Sequence, residues 1–136
     1  MRVALIGSAD FGKAALEAFL ERGDEIVAVF CPPDNPKASK PEVLKEAAIA
    51  RGLNPLQFAS LKSPEAAQAM IDSQADICVM AYVLQFVPQE LCKIPKHGTI
   101  QYHPSLLPKY RGPSAINWAI ALGEDKTGLT IFRPSD

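Results

Sequence analysis

The sequence predicts an α/β domain built on a doubly wound, mostly parallel sheet. Three observations carry that prediction. Short apolar runs recur at Arg2–Gly7 (RVALIG), Glu25–Cys31 (EIVAVFC), residues 76–82 (DICVMAY) and residues 98–103 (GTIQYH). Their near-continuous apolar character marks strands buried on both faces. Segments with apolar residues at helical spacing lie between them, and glycine or proline closes most elements.

Taken in order, RVALIG is a buried strand ended by Gly7, and Phe11, Ala14, Ala15, Ala18 and Phe19 then fall on one helical face. Asp10 is the expected N-cap and Gly23 the expected C′ residue. EIVAVFC completes a right-handed βαβ unit. The turn Gly7-Ser8-Ala9-Asp10-Phe11-Gly12 suggests a dinucleotide site but lacks two of its parts. Ala9 replaces the middle glycine, and the second strand ends Phe30-Cys31-Pro32 with no acid for a ribose hydroxyl. The glycines are therefore read as serving a tight turn and close helix packing.

Residues 32–41 (PPDNPKASKP) form a loop with four prolines, either bordering a site or simply connecting. A helix is expected over residues 42–51, with Val43, Leu44, Ala47 and Ala48 inward and Gly52 ending it. Residues 55–58 (PLQF) suit a short edge strand that tolerates a leading proline. Ser63-Pro64-Glu65 is a helix start, with a serine cap, proline at the first helical position and an acid near the positive dipole end. Ala66, Ala67, Met70 and Ile71 are expected on its apolar side. After DICVMAY, residues 83–88 (VLQFVP) place apolar side chains in a loop, as a ligand wall or as cover for the sheet edge. Glu90-Leu91-Cys92 reads as a helical turn, and residues 127–133 (TGLTIFR) as the last strand.

Composition fits one soluble domain: 136 residues, 48% hydrophobic and 21% charged, with a formal net charge of −1. That balance gives no ground for charge-driven attachment to nucleic acid or an anionic membrane. The three cysteines form no CxxC pair and there are two histidines, so no metal site is expected. No apolar run has the length of a signal peptide or of a membrane span, so a cytoplasmic protein is expected.

Residues 98–122 (GTIQYHPSLLPKYRGPSAINWAIAL) concentrate the chemistry. Alternation puts Gln101 and His103 on one strand face and Tyr102 on the other. An imidazole moves protons at neutral pH, and an amide N–H donates to a developing oxyanion, which together suit acyl-type chemistry. A carboxylate would be needed to orient the imidazole. Pro104 and Pro108 stiffen the following loop, and Gly112-Pro113 opens a helix with Ser114 as its cap. Ala115, Ile116, Ala119 and Ile120 are its expected inner side, with Gly123 at its end. Each residue also has a structural reading: His103 as a strand-end histidine, Gln101 as a partner for backbone groups, and Lys109 and Arg111 as solvated charges.

The run HPSLLPKYRGPSAINWAI closely resembles the signature of the formyltransferase family that uses 10-formyltetrahydrofolate. That family includes methionyl-tRNA formyltransferase, the hydrolase domain of 10-formyltetrahydrofolate dehydrogenase and sugar-amine formyltransferases. The resemblance extends over essentially the whole chain, through the opening strand–glycine turn, the proline-rich loop after Phe30 and QFVP before the short helix. It implies a Rossmann-like formyltransferase fold, with residues 1–136 as the N-terminal catalytic domain, incomplete at its C-terminal end. Such proteins use an Asn-x-His pair and a later Asp. His103 matches the histidine, and Gln101 stands where the tRNA- and sugar-modifying members have Asn, which implies an oxyanion donor with a longer side chain. QFVPQE, YHPSLLP and SAINW are more similar to the dehydrogenase's hydrolase domain than to the tRNA enzyme.

By the same resemblance, Gln85, Phe86 and Val87 line a folate pocket, and Ser105, Leu106, Leu107 and Pro108 lie near the pterin and formyl group. The family's Asp is expected a few residues beyond Asp136, which itself aligns too early. The chain is thus expected to lack that Asp, part of one pocket wall and any C-terminal domain, and to be weak or inactive alone. The implied reaction is formyl transfer from 10-formyltetrahydrofolate, without a metal, to water, an amine or initiator tRNA held by a missing C-terminal domain. A non-catalytic folate-binding module is the alternative from another class, and a nucleotide-binding Rossmann domain a third.

Overall fold

The computed structural model describes residues 1–135, so the expectation placed on Asp136 lies outside the described residues. The chain runs β1 (Arg2–Gly7), α1 (Ala9–Arg22), β2 (Glu25–Cys31), α2 (Val43–Ala50), β3 (Leu56–Gln57), α3 (Pro64–Ser73), β4 (Ile77–Ala81), α4 (Gln89–Cys92), β5 (Thr99–His103), α5 (Ala115–Ala121) and β6 (Thr130–Phe132). The strands form one sheet in the order β3-β2-β1-β4-β5-β6. All pairings are parallel except β5 with β6, so the expected doubly wound, Rossmann-like sheet is present with one antiparallel edge. The chain builds outward from β1 to β3, then returns to build from β4. That reversal opens a crevice between the C-terminal ends of β1 and β4, where open α/β sheets hold ligands.

The two sheet faces follow from alternation along the buried strands. Ala4, Ile6, Ala28, Phe30, Cys78 and Met80 pack under α3 and α4 with Met70 and Leu91. Val3, Leu5, Val29 and Cys31 pack under α1 and α2 with Leu16, Leu44, Ala47 and Ala48. Burying each large aliphatic side chain contributes about 1.5–3 kcal/mol. No helix among the described residues is long and apolar enough to cross a membrane.

Several helix details differ from the sequence reading. In α1 the buried residues are Gly12 and Leu16, while Phe11 is exposed and Ala14 and Ala18 face outward. Short alanines define a face weakly, and the face that packs inward is the one carrying Gly12, beside Leu44, and Leu16. Ser8, not Asp10, holds the N-cap position, and its hydroxyl donates to the Tyr82 carbonyl at 2.7 Å rather than accepting from the helix. Gly23 closes α1 in the left-handed region at φ 93°. Ser63 caps α3 as expected, accepting from Ala66 N at 3.3 Å, but Ile71 is 51% exposed. Ser114 stands at the α5 cap with φ 62° and no side-chain cap bond. Ala115 and Ala119 are buried there, whereas Ile116 and Ile120 face solvent.

Candidate active site

The β4 strand ends at Ala81, and Tyr82 turns the chain in the left-handed region at φ 61°. The loop that follows crosses the end of the sheet before α4. Its residues Gln85, Phe86 and Val87, with Gln101 from β5, line one cleft of about 880 Å³. Leu61, Lys62, Met80 and Leu91 complete its apolar floor and rim. Met80 and Gln101 are register partners on neighbouring strands, which explains why a β5 side chain reaches a cleft floored by β4. The cleft volume is of the size that holds small organic ligands, and the amides of Gln85, Gln89 and Gln101 interrupt its apolar wall.

Each side chain in the cleft has a defined setting. Gln85 donates from Nε2 to the Phe58 carbonyl at 2.9 Å, tying the loop to the chain after β3. Phe86 is 68% exposed, and the Lys62 ammonium stands 4.8 Å from its ring centroid. The Gln101 amide is half-buried and makes no side-chain hydrogen bond among the described residues. Its N–H groups are therefore available to an oxygen arriving in the cleft.

His103 ends the same strand two residues on, at the same face as Gln101, but it is not part of the cleft wall. Tyr102 points the other way and stacks on Phe11 of α1, with centroids 4.3 Å apart. His103 Nε2 lies 2.7 Å from the Tyr110 carbonyl oxygen. A carbonyl only accepts, so Nε2 carries the hydrogen and Nδ1 keeps its lone pair in the neutral ring. Tyr110 has φ 53°, which turns that carbonyl back toward the histidine. Its hydroxyl donates to Glu124 Oε1 at 2.6 Å, and this bond raises the phenol above its ordinary range.

The segment from Ser105 to Pro108 lies apart from the cleft wall. Ser105 is fully buried, donating from Oγ to the Lys109 carbonyl at 2.6 Å. Thr130 of β6 donates to the Ser105 carbonyl at 2.7 Å and accepts from Leu107 N at 3.2 Å. Leu106 lies against Gly128, where an added Cβ would come within 2.6 Å of Leu106 Cδ2. The structure thus gathers Gln85, Phe86, Val87 and Gln101 around one cleft and folds residues 105–108 onto β6 behind His103. The sequence reading missed Lys62 and the Tyr110 carbonyl. Lys62 immediately precedes the α3 cap, a position the pattern does reveal, whereas nothing in the sequence announces a left-handed Tyr110. Among the described residues, no group of three or more His, Cys, Asp or Glu gathers to hold a metal ion.

The formyl transferase family model matches residues 1–136. The chain is 36% identical to the methionyl-tRNA formyltransferase of Geobacter metallireducens over 98% of its own length and 44% of that protein. It is 38% identical to the mitochondrial 10-formyltetrahydrofolate dehydrogenase of Mus musculus over 100% of its own length and 15% of that protein. The chain therefore spans less than half of the curated relatives it matches. Among solved structures, phosphoribosylglycinamide formyltransferase from Bacillus halodurans superposes with a TM-score of 0.79 at 24% identity, covering 100% of this chain and 73% of that one. A formyltetrahydrofolate deformylase from Pseudomonas syringae pv. tomato gives a TM-score of 0.77 at 22% identity, covering 98% of this chain and 46% of that one. At those identities the structural likeness is one of fold.

Proposed function

This chain belongs to the formyl transferase family, and from that premise we propose that it forms the donor side of a formyl-transfer site that takes 10-formyltetrahydrofolate. The observation that carries the proposal is the convergence of Gln85, Phe86, Val87 and Gln101 on one cleft at the strand ends, with His103 next along β5. Phe86 and Val87 offer apolar surface to the heterocycle, and Gln85 fixes the loop that presents them. Ser105, Leu106, Leu107 and Pro108 contribute through the shape of the loop that braces His103.

In the reaction, a nucleophile attacks the formyl carbon, and its proton must leave as the new bond forms. His103 Nδ1 takes that proton while Nε2–H stays on the Tyr110 carbonyl. The Gln101 amide donates to the formyl oxygen as negative charge develops there. The proton then passes to the folate nitrogen as its bond to the formyl carbon breaks. The acceptor is water or an amine, and initiator-tRNA methionine is the amine suggested by the methionyl-tRNA formyltransferase relatives. A non-catalytic folate-binding module is the second reading, favoured by Gln101, whose amide reaches further than the Asn the family resemblance leads one to expect.

Titration calorimetry with a stable 10-formyltetrahydrofolate analogue tests the cleft. Phe86→Ala is expected to weaken binding by about tenfold through loss of the aromatic contact; no binding to the unsubstituted chain overturns the folate reading. Formate or formyl-product release by a protein extended past Asp136, compared with its His103→Ala variant, tests the chemistry. Equal rates would remove His103 from the mechanism and favour the binding module.

A further inference from the structure

The wall of the cleft contains one large ring that burial does not hold. In the loop after β4, Val83 and Val87 pack against the core that contains Ile6, Phe30 and Met80. Phe86, between Gln85 and Val87, stays 68% exposed while lining the cleft. Packing therefore anchors the loop without fixing the direction of its aromatic side chain. What meets the ring is a cation. Lys62 Nζ stands over it, 4.8 Å from the centroid, and Lys62 lines the same cleft. That ammonium makes no ion pair among the described residues, neither with Glu90, the carboxylate in the cleft wall, nor with another acid.

The backbone that delivers Lys62 is fixed on both sides. Leu61 before it is 2% exposed, and Ser63 after it caps α3. Between them, Lys62 N donates to Ser60 Oγ at 3.2 Å and Ser63 N to the Ser60 carbonyl at 3.2 Å. The stretch from Phe58 to Lys62 thus holds the loop at two successive residues. Gln85 Nε2 donates to the Phe58 carbonyl at 2.9 Å, and the next side chain, Phe86, lies under the Lys62 ammonium. A cation is attracted to the negative face of a ring and leaves the opposite face free for a second ring to stack on.

We propose that Lys62 is a positioning residue of this cleft: its ammonium holds the Phe86 ring as a platform on which a flat aromatic ligand stacks. The proposal rests on the folate reading for the identity of that ligand. The contact itself exists in the free protein and is measurable without it.

The test is a double-mutant cycle on the affinity of the stable 10-formyltetrahydrofolate analogue, measured by calorimetry for the unsubstituted chain, Lys62→Met, Phe86→Leu and the pair. Lys62→Met keeps the apolar stem and removes the charge. It is expected to weaken binding about two- to fivefold, and to have no effect once Phe86 is replaced. Lys62→Arg is expected to bind within about twofold of the unsubstituted chain, because a guanidinium also rests on a ring face. In the free protein the Lys62 ε-methylene protons are expected upfield of those of the other lysines, and to return to the common position in Phe86→Leu. A Lys62→Met loss that persists undiminished in the Phe86→Leu background overturns the proposal and assigns Lys62 instead to direct attraction of a ligand carboxylate. Unchanged affinity in Lys62→Met overturns it too, as does an unshifted ε-methylene. Both side chains are exposed, so the variants are expected to keep the parent's melting curve. Absence of binding to the unsubstituted chain defeats the folate reading and the ligand role of Lys62 with it, whereas binding with an additive cycle defeats the role of Lys62 alone.

Discussion

Gly7→Ala perturbs the foundation on which the site is built. Gly7 ends β1 beside Ala81 of β4, across the crevice where the sheet order reverses. A Cβ on Gly7 would lie 2.4 Å from the Ala81 carbonyl oxygen and 3.3 Å from its carbon. An ordinary contact is about 3.5 Å, so the strand ends must part by roughly 1 Å. Backbone is what must move, and it carries two bonds across the same gap: Ser8 N to Ala81 O at 3.2 Å and Ser8 Oγ to Tyr82 O at 2.7 Å. Overpacking costs about 1–3 kcal/mol, and weakening those bonds adds about 1. The reduced entropy of the unfolded chain returns about 0.4–1 kcal/mol. The net loss is about 1–3.5 kcal/mol, centred near 2, which at the centre is about 7–8 °C in melting temperature for a chain of this length. Gly12→Ala is the control. Its Cβ meets Leu44 Cδ2 at 3.1 Å, so that buried side chain must give by a few tenths of an ångström, and it meets Gly7 C at an ordinary 3.4 Å. Alanine's helix preference of about 1 kcal/mol offsets that crowding, so the variant should melt within about 3 °C of the parent. Thermal and urea unfolding followed by circular dichroism measure both. A Gly7→Ala variant that melts with the parent, or a Gly12→Ala variant that loses as much, refutes the steric account.

Three further outcomes are expected. Burial pushes the Cys31 and Cys78 thiols up to about 12 and raises Cys92 as well, so all three should resist alkylation in the folded chain and react once urea unfolds it; rapid labelling of the native protein at any of them contradicts their burial. The Arg2 backbone N–H, donating at 2.8 Å, holds the Asp76 carboxyl below its ordinary value of 3.8. Its stabilisation is therefore present above that value and lost as pH falls through the lower folded one; Asp76→Asn should flatten the acid limb of a stability–pH curve, and an unchanged limb sinks the assignment. Tyr110 is shifted the other way, so its bond to Glu124 stabilises below the ordinary value of 10.0 and is lost as pH rises through the higher folded one. Tyr110→Phe should remove that alkaline dependence without altering turnover near neutrality, because the carbonyl facing His103 is retained; a neutral-pH rate change would show that the hydroxyl positions the loop.

The parallel strands were readable because burial on both faces demands continuous apolar sequence, and RVALIG and EIVAVFC leave no competing helical period. Helix faces were harder for a physical reason visible in α5. Ala115 with Ala119 and Ile116 with Ile120 have the same spacing and adjoin on the helix surface, so periodicity alone does not say which pair the sheet takes. It takes the alanines, leaving Ile120 at 74% exposure. In α1 the same ambiguity among Ala14, Ala15 and Ala18 is resolved with the face carrying Gly12, beside Leu44, and Leu16 packed inward.

The candidate site divides along the same line between local and distant determinants. Gln101 and His103 share a strand face because alternation is a property of the strand itself, and the loop that carries Gln85 to Val87 follows β4 directly. What surrounds His103 depends instead on β6, whose Thr130 hydroxyl reaches Ser105 and Leu107 from across the antiparallel edge. With Ser105 Oγ turned inward to Lys109, that segment is held as a brace, and its last turn delivers the Tyr110 carbonyl to Nε2. A histidine held this way has one nitrogen committed to the carbonyl and the other left with its lone pair, so the loop selects the tautomer. The tautomer is a consequence of pairing between residues far apart in sequence, and for that reason a motif picks out the histidine while only the fold says which of its nitrogens is free to accept.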